Sequence, residues 1–463
     1  MVPISRGNDV DKAIDYFFQF SYVIYKRGGN QDEILPVKKL DGQSDRGKKR
    51  IQNVCLCYLL CLMIETRKHS LEFAAVLSGL NKSQFSRLLS NHCDTAVHTL
   101  ESLSKKQAKI YAKVLKNIDH LPWKIVIIVD STIQERSSLH SENVQRFNHG
   151  KGFVIGHQWT NIVLIINGVL IPLPPIAFHS QKYCRQNKLV YKTEHTLLVE
   201  YLKTLDLCHY IGPHSSKDIV VIADSGYDDK KIQNIIRKRG WYFIIALKNT
   251  RSVKSPQQWL KTPRSSGWSQ VAQFFKDQRR LAWETVRLEA NSKQQKRMDV
   301  RMRHTTGFLK EVGKVQLVCS ELKKRPDGRR KFFACNDLEA QARQIVIGYR
   351  LRWGIELFHK AVKMHLGFEH VAAKHFCSVQ AHVHWVYCAY ILLHAHPPGV
   401  LESSLTIPEK QQNLKAVLAN EKIANVLQQL TQIGGVHRYK NQLKQALTGK
   451  ALPNLLSYHE LNC

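Results

Sequence analysis

The sequence predicts an α/β fold in which helices pack against a mixed sheet. Two short runs of apolar, mostly β-branched residues, 124–130 and 218–224, each end in a carboxylate and are typical of strands buried on both faces. The Asn167-Gly168 pair between two further apolar runs predicts a tight hairpin of antiparallel strands. Helical patterns separate the remaining strands, so the order strand, hairpin, helix, strand, helix, strand describes a mixed sheet.

Residues 1–120 are predicted to form a helical N-terminal region, because they show no strand alternation. Within this region, residues 70–90 show a helix, a turn at Gly79 and a second helix opened by Asn81, which is the outline of a helix-turn-helix. The side chains placed to reach base edges in a major groove are Lys82, Gln84 and Arg87. The same pattern is common in ordinary helical bundles, so both interpretations stay open.

Residues 121–250 are predicted to form the first part of the α/β core. The strands are expected at 124–130, 161–166, 169–172, 218–224 and 241–247, and the helices at 192–205 and 229–239. Gly240 follows the second helix in the position that favours a left-handed cap.

The composition changes near residue 250. Residues 251–336 are basic and rich in Gln, Ser and Thr, and apolar and polar residues alternate with a period of two. This pattern predicts a β-rich insertion subdomain. Its strands are expected at 282–288, 298–304, 315–322 and 331–336, with a turn at Pro326-Asp327-Gly328 between the last two. The second part of the core is expected at 337–380, and a helical C-terminal region at 381–463.

The stretch 349–363 is predicted to be one amphipathic helix. Its polar side is formed by Tyr349, Arg352, Glu356 and Lys363. Its apolar side, as expected of a helix docked on a core, is formed by Ile347, Leu351, Phe358 and Val362. The polar side has two interpretations: a functional stripe, or a solvated face on which Arg352 and Glu356 make an ordinary i,i+4 pair.

The charge of the chain predicts a polyanionic partner. Lys and Arg number 69 against 37 Asp and Glu, a formal net charge of +32 that is spread along the whole sequence. Such a field attracts phosphate backbones. The competing partner is an anionic membrane surface, but the sequence shows neither a basic amphipathic anchor nor a lipidation signal.

The cysteines and the hydropathy pattern predict a soluble, cytosolic protein. The 11 cysteines are odd in number and show no paired spacing, so we expect reduced, mostly buried thiols. The N-terminus shows no apolar signal core, and no apolar run approaches the roughly 20 residues of a membrane span.

Three carboxylates form one candidate site: Asp130, Asp224 and Glu356. An Asp that ends a strand is often only a turn residue, but sites in α/β sheets also collect there. Two such residues with a helical Glu suit a site that holds two divalent cations for attack at a phosphodiester. Magnesium is the expected metal because it prefers hard oxygen ligands, and no zinc spacing occurs among the histidines and cysteines.

These residues resemble the motifs of cut-and-paste DDE transposases of bacterial insertion sequences. The group called insertion sequence family four carries a Y-(2)-R-(3)-E-(6)-K signature, which is matched by Tyr349, Arg352, Glu356 and Lys363. The first Asp lies in V-D-S-T at 129–132, and the second in D-S-G-Y at 224–227, as in the family. The resemblance covers about residues 120–380.

The resemblance implies a ribonuclease-H-like catalytic core interrupted by a β-rich insertion. It implies that two Mg²⁺ ions, replaceable by Mn²⁺, are held by Asp130, Asp224 and Glu356 as catalytic residues. The partners implied are double-stranded DNA, both the transposon ends and the target, and a second copy of the chain in the DNA complex. A membrane partner is not expected, and the location implied is the bacterial cytosol, at the nucleoid.

The resemblance also implies roles in DNA binding for residues around the carboxylates. Arg352 and Lys363 are expected to grip phosphates of the transposon end, and Tyr349 to hydrogen-bond or stack near the cleavage site. In relatives an aromatic side chain of the insertion stabilises a flipped base. Trp283 and Trp268 are the candidates here, although each has the alternative of simple burial.

The function expected from the sequence is DNA transposition: binding of terminal inverted repeats, cleavage that frees 3′-OH ends, and transfer of those ends into target DNA. One alternative is a metal-dependent nuclease on the same core without strand transfer. The other is a non-catalytic DNA-binding protein derived from a transposase, although such proteins tend to lose carboxylates that this chain keeps.

Overall fold

The structure is a computed structural model that describes residues 45–65, 69–118, 121–137, 139–149, 152–262, 266–278, 280–288, 298–323, 330–394, 405–412 and 414–415. The chain divides into two compact units, one of Met1–Thr99 with Ala361–Cys463 and the other of Leu100–Lys360. The finer boundaries predicted at 120, 250, 336 and 380 remain predictions. The predicted helical stretches at 1–44 and 416–463 and the predicted turn at 326–328 lie outside the described residues.

Helices and strands are numbered in chain order along the described residues. The helices are α1 (Asp45–Ile64), α2 (Leu71–Ser78), α3 (Lys82–Asn91), α4 (Cys93–Ala112), α5 (Gln181–Gln186), α6 (Glu194–Thr204), α7 (Cys208–Ile211), α8 (Lys230–Lys238), α9 (Pro256–Lys261), α10 (Val271–Asp277), α11 (Ala342–Arg350), α12 (Trp353–His365) and α13 (Phe376–His394). The strands are β1 (Ile125–Glu135), β2 (Gln145–His149), β3 (Gly152–Ile166), β4 (Val169–Pro172), β5 (Ile176–Ala177), β6 (Ile219–Ala223), β7 (Tyr242–Leu247), β8 (Ser252–Lys254), β9 (Ser269–Gln270), β10 (Glu284–Leu288), β11 (Met298–Leu309), β12 (Gly313–Leu322) and β13 (Lys331–Cys335).

All of these strands join one mixed sheet in the unit Leu100–Lys360. Its order is β2-β3-β1-β6-β7-β13-β12-β11-β8-β9, with β4 and β5 paired to β3 and β10 paired to β11. Strands β1, β6 and β7 are parallel, and the remaining pairs are antiparallel. Because α8 and α11 pack against this mixed sheet, the predicted α/β class is confirmed.

The parallel strands are buried on both faces, as their apolar composition predicts. On one face, Val221 and Ile245 join a core with Leu198 of α6 and Ile236 of α8. On the other face α11 lies so close that a Cβ added at Gly348 would stand 2.9 Å from a side-chain atom of β7. Each fully buried Val or Ile contributes about 2 kcal/mol to this packing.

Strand β1 is longer than the sequence predicts. The prediction ends it at Asp130, but β1 continues to Glu135 because β3 pairs with all of its residues, from Ile125↔Ile166 to Glu135↔Gly156. The expectation that Asp130 ends its strand is therefore wrong. Asp130 instead lies where the parallel pairing with β6 stops.

The predicted hairpin and helix ends are confirmed. Asn167 and Gly168 have φ values of 51° and 82°, the two positive angles that a type I′ turn requires between β3 and β4. Thr193 caps α6, Asp229 caps α8, and Gly240 takes a φ of 70° just beyond α8.

The strand-rich stretch after residue 250 extends the same sheet. Strands β10, β12 and β13 fall where they are predicted, and β11 runs five residues further than predicted, to Leu309. The stretch also contains α9 and α10, which the sequence analysis missed. The signal for α9 was present, since Ser255 caps the helix, Pro256 opens it and Gln258 completes a capping box.

The prediction of one helix over 349–363 is wrong, because α11 and α12 are separated at Leu351 and Arg352. The amide of Arg352 donates to Tyr349 O at 3.1 Å, three residues back rather than the four of an α-helix. This tightened turn changes the register between Tyr349 and Glu356, so the polar residues do not share one straight stripe.

The apolar side of this stretch changes with the register. Phe358 and Val362 are buried as predicted, whereas Ile347 and Leu351 are only partly buried. The other buried apolar side chains of α11 and α12 are those of Ala342, Ile345, Val346 and Ile355.

The unit of Met1–Thr99 with Ala361–Cys463 contains the predicted helix-turn-helix geometry. Gly79, with a φ of 70°, ends α2, and Asn81 caps α3 by accepting a hydrogen bond from Ser83 N at 2.9 Å. The Asn81 backbone amide donates to Gln84 Oε1 at 3.1 Å, which completes a capping box. These features confirm the two helices and their turn.

Helix α13 spans the start of the predicted helical C-terminal region. It is the one described helix whose length and composition would allow it to cross a membrane, and 83% of its apolar window is buried inside the protein. Core helices of soluble proteins pass the same test. Within its own unit α13 packs against α1, where Tyr58 Oη and His382 Nδ1 are hydrogen-bonded at 2.8 Å.

Candidate active site

The parallel register of β1 and β6 brings two of the predicted carboxylates together. Val129 pairs with Ala223 in the last parallel pair between these strands. Asp130 follows Val129 and Asp224 follows Ala223, so the two aspartates lie side by side where β6 ends. The sequence analysis expects both residues at strand ends, whereas only Asp224 follows the end of its strand and β1 continues past Asp130.

Asp130 is the most perturbed carboxylate of the site. Its Oδ2 accepts a hydrogen bond from Arg352 Nη1 at 3.0 Å, and its Oδ1 accepts one from Ser131 N at 3.0 Å. Burial raises the pKa of Asp130 to about 6, and the guanidinium of Arg352 only partly opposes this rise. The charges of Asp224 and Glu356 reinforce it. The site therefore concentrates negative charge.

Asp130→Asn is expected to stabilise the metal-free protein with a specific pH dependence. Between pH 4 and pH 6 the unfolded chain loses the Asp130 proton while the folded chain retains it, so wild-type stability falls as pH rises. The variant has no carboxyl group at this position, so its stability does not fall in this way. Its advantage should be small at pH 4 and reach about 3 kcal/mol above pH 6.

Denaturant unfolding at pH 4, 5, 6 and 7 in the presence of a chelator measures this advantage. Asp206→Asn serves as the control, because Asp206 lies on an exposed turn before α7. An advantage of Asp130→Asn that does not change with pH would contradict the prediction.

Asp224 is fixed by the short turn that follows β6. Its Oδ1 accepts a hydrogen bond from Gly226 N at 2.8 Å and caps the 3₁₀ turn Ser225–Tyr227. A Cβ at Gly226 would stand 2.9 Å from Asp224 Oδ1, so a larger residue here would displace the carboxylate. The D-S-G-Y sequence thus holds the carboxylate in one orientation.

Arg352 connects two of the three carboxylates. Its Nη1 donates to Asp130, and its Nη2 donates to Glu356 Oε1 across one turn of helix. Burial alone would lower the pKa of Arg352, but Tyr349, Asp130 and Glu356 raise it above its ordinary value. The guanidinium is therefore a permanent positive charge between two carboxylates.

Tyr349 lies beside this guanidinium. Its ring centroid is 4.5 Å from that of Phe333 and 6.0 Å from the Arg352 guanidinium carbon. Burial is the main cause that raises the pKa of Tyr349, so the ring is neutral at physiological pH. The four-residue signature therefore places Tyr349, Arg352 and Glu356 in one site, although not on one straight helix.

The donor set of the site fits Mg²⁺, because three carboxylates supply hard oxygen ligands. No group of three or more His, Cys, Asp or Glu lies at metal-binding spacing in the part of the chain that the structure describes. Arg352 instead occupies the place of a cation between Asp130 and Glu356. A metal bound by both carboxylates requires the guanidinium to withdraw from them.

A fourth carboxylate, Glu194, lies close to the site and was missed from the sequence. It is the first residue of α6 and accepts hydrogen bonds from Tyr227 Oη at 2.6 Å and Thr160 Oγ1 at 2.9 Å. Its second oxygen accepts from Gln158 Nε2 at 2.7 Å. The sequence predicted a helix at 192–205, but nothing in the sequence indicated these distant partners.

His359 and Asn161 form a second missed contact, with Asn161 Nδ2 2.8 Å from His359 Nε2. Asn161 pairs with Asp130 across β1 and β3, and His359 follows Glu356 by three residues, close to one helical turn. The contact therefore links the strand beside Asp130 to the helix that carries Glu356. A polar residue at the head of the apolar run 162–166 was the available signal.

The remaining signature residue, Lys363, belongs to the unit of Met1–Thr99 with Ala361–Cys463. Its Nζ pairs with Glu369 Oε1 at 3.1 Å in that unit. The candidate base-reading residues belong to the same unit, on α3. Lys82 pairs with Glu72, Gln84 takes part in the capping box, and Arg87 Nη2 donates to Ser83 Oγ at 3.0 Å.

The two candidate tryptophans differ in their surroundings. Trp283 is half-buried, with three guanidinium carbons 4.1 to 5.7 Å from its ring centroid, those of Arg303, Arg301 and Arg330. Trp268 is also half-buried, and its ring lies 4.8 Å from Lys254 Nζ. Trp283 therefore lies in the more positive patch.

Comparison with known proteins indicates the class of enzyme to which this site is similar. Residues 189–392 match the family model described as a transposase DDE domain, and the match includes Asp224 and Glu356 but begins after Asp130. No curated protein matches the chain. The mixed α/β sheet with its helices is consistent with a ribonuclease-H-like DDE domain. The match supports a DDE transposase, an enzyme class that cleaves DNA and transfers its strands.

Proposed function

We propose that this protein binds the terminal inverted repeats of its element, cleaves beside them by two-metal hydrolysis to free 3′-OH ends, and joins those ends to target DNA. The observation that carries the proposal is that Arg352 pairs with both Asp130 and Glu356, while Asp224 lies beside Asp130 where β6 ends. The match to a transposase DDE domain supports it, since that class implies DNA as the partner.

The carboxylates and Arg352 have different roles in the site. Bound Mg²⁺ would activate the attacking hydroxyl and neutralise charge on the scissile phosphate. Asp130, Asp224 and Glu356 supply the oxygen ligands. Before DNA binds, the charge of Arg352 balances the charges of Asp130 and Glu356. Once Arg352 leaves these carboxylates, its planar set of N–H donors matches the geometry of a phosphate.

Hydrolysis and strand transfer differ only in the nucleophile, which is water in the first step and the freed 3′-OH in the second. The chain needs only one site for both, because the carboxylates and Arg352 meet the same phosphodiester group each time. A covalent link between protein and DNA is not required.

The proposal includes the finer assignment to the group with the Y-(2)-R-(3)-E-(6)-K signature. Lys363 then contacts a second phosphate, and Tyr349 lies near the cleavage site. The N-terminal region recognises the repeats through α3, and Trp283 is the preferred candidate for a flipped base. A dimer assembles with the DNA, in the soluble cytoplasmic compartment that the transposase match suggests.

One experiment separates this proposal from a nuclease. The inverted repeats are read from the DNA that flanks the gene, and a labelled duplex carrying one repeat is incubated with protein, Mg²⁺ and a second duplex. We expect cleavage at the repeat and covalent joining of its 3′-OH end to the second duplex. Cleavage without joining would indicate the nuclease, and binding without cleavage would indicate a non-catalytic DNA-binding protein.

Affinity for duplex DNA is expected to fall steeply with salt. The net charge of +32 should displace several condensed counterions on binding, so the slope of log affinity against log salt should be several units. Fluorescence anisotropy between about 50 and 250 mM salt measures this slope. An affinity that hardly changes over that range would contradict the electrostatic argument.

A further inference from the structure

The geometry points to Glu194 as a positioning residue that, through Tyr227, fixes the turn carrying Asp224 against the strand carrying Asp130. This inference deepens the proposed function and rests on it in one respect, since it takes these two aspartates as metal ligands. It adds a residue outside the carboxylate triad and the four-residue signature.

The sheet does not by itself hold the turn that carries Asp224. Strand β6 ends at Ala223, so its ladder with β1 stops one residue before the carboxylate. Beyond that point the turn Ser225–Tyr227 depends on side-chain contacts for its position. One of them is made by the ring of Tyr227, which is 3% exposed.

The hydroxyl of Tyr227 reaches both neighbouring elements. It donates to Glu194 Oε1 at 2.6 Å, and the hydroxyl of Ser131 is hydrogen-bonded to it. Ser131 also donates its amide to Asp130 Oδ1 at 3.0 Å. One phenol thus links the residue after Asp130 to the turn that begins at Asp224.

Glu194 is itself held on the neighbouring strand β3. Thr160 and Gln158 both donate to its carboxylate, at 2.9 and 2.7 Å, and Thr160 is the register partner of Ser131. With Tyr227 this makes three donors to one acceptor group, so the carboxylate has a single well-defined orientation.

The next residue of α6 contacts the same turn. His195 Nε2 lies 2.9 Å from Gly226 O. The first turn of α6 therefore touches the Asp224 turn through two side chains. Loss of the Glu194 contact should loosen the turn without detaching it, so that the protein folds while its carboxylates are less well placed.

Two variants test the inference. Tyr227→Phe keeps the buried ring and removes only the hydroxyl, and Glu194→Gln keeps the shape but removes the charge that strengthens all three hydrogen bonds. Tyr210→Phe is the matched control, because Tyr210 is a buried tyrosine of the same unit on α7. We expect both variants to fold, with melting temperatures within about 5 °C of wild type.

The first readout needs neither metal nor DNA. Hydrogen exchange of the peptide covering residues 224–229 should be about tenfold faster in both variants, and unchanged in Tyr210→Phe. Unchanged exchange of this peptide in both variants would overturn the inference, whatever the protein's function.

The second readout is Mn²⁺ binding measured by electron paramagnetic resonance without DNA. We expect both variants to bind Mn²⁺ about 10- to 100-fold more weakly than wild type, and excess metal to restore cleavage. Wild-type Mn²⁺ affinity in variants of lowered melting temperature would show a purely structural role and overturn the inference. Failure of wild type itself to bind Mn²⁺ would count against the proposed function, while the exchange comparison would still decide the positioning role.

Discussion

Asp224→Asn and Glu356→Gln are each expected to lower single-turnover cleavage of a terminal-repeat duplex by at least about 10³-fold, about 4 kcal/mol of transition-state stabilisation. Each change keeps the shape of the side chain and removes the charge that a divalent cation requires. Asp130→Asn should have the same effect on cleavage. Cleavage at saturating protein and fixed Mg²⁺ is the measurement.

These substitutions should leave the fold intact. Asn caps a turn as well as Asp does, so Asp224→Asn retains the hydrogen bond from Gly226 N. Glu200→Gln is a matched control, since the exposed Glu200 carboxylate pairs with Lys192 outside the site. A carboxylate variant that retains more than a tenth of wild-type cleavage would have to be removed from the catalytic set.

The sequence allowed the core of the site to be predicted because its signals are local. Buried parallel strands need uninterrupted apolar residues, so a carboxylate at the end of such a run is conspicuous, as at Asp224. The turn at Asn167-Gly168 and the start of α3 at Asn81 are also indicated by one or two neighbouring residues.

The turn between α11 and α12 could not be predicted in the same way. The period of 3.6 residues continues through Leu351 and Arg352, and neither residue is a helix breaker. The turn is tightened in a stretch that is tightly packed, where Gly348 approaches β7 and a Cβ at Gly354 would stand 3.3 Å from Leu170. Tertiary packing of this kind does not change the local hydrophobic period, so the sequence does not indicate it.

The partners of the carboxylates were hidden for a related reason. Asp130 and Arg352 are 222 residues apart in the sequence, and Glu194 and Tyr227 are 33 apart. The spacing of the signature favoured Arg352 and Glu356 as an i,i+4 pair, which the structure contains. It gave no indication that the same guanidinium also binds Asp130.

This double pairing determines what removal of the guanidinium should do. Arg352→Ala leaves Asp130 and Glu356 near Asp224 without compensation, so we expect the metal-free protein to lose about 2 kcal/mol of stability at pH 7.5, less than a fully buried pair would lose because Arg352 is 20% exposed. Mg²⁺ should then stabilise the variant more than wild type, because the metal no longer has to displace a guanidinium from the carboxylates.

The same variant should cleave poorly in spite of its better access to metal. If Arg352 contacts a phosphate beside the scissile bond, its loss should slow cleavage by about 100-fold and lower the salt slope of binding by about one unit. Thermal unfolding in chelator and in Mg²⁺, salt-dependent affinity and single-turnover cleavage together measure these effects.

Arg287→Ala provides the matched control, because Arg287 is 68% exposed and pairs with Asp299 on the surface of the same unit. Its loss should cost no more than about 0.5 kcal/mol and leave the response to Mg²⁺ unchanged. If Arg352→Ala behaves like this control in both stability and cleavage, its contacts with Asp130 and Glu356 are only a surface pair. A variant that is destabilised in chelator, rescued by Mg²⁺ and still slow to cleave would establish that one guanidinium first balances the carboxylates and then serves the DNA.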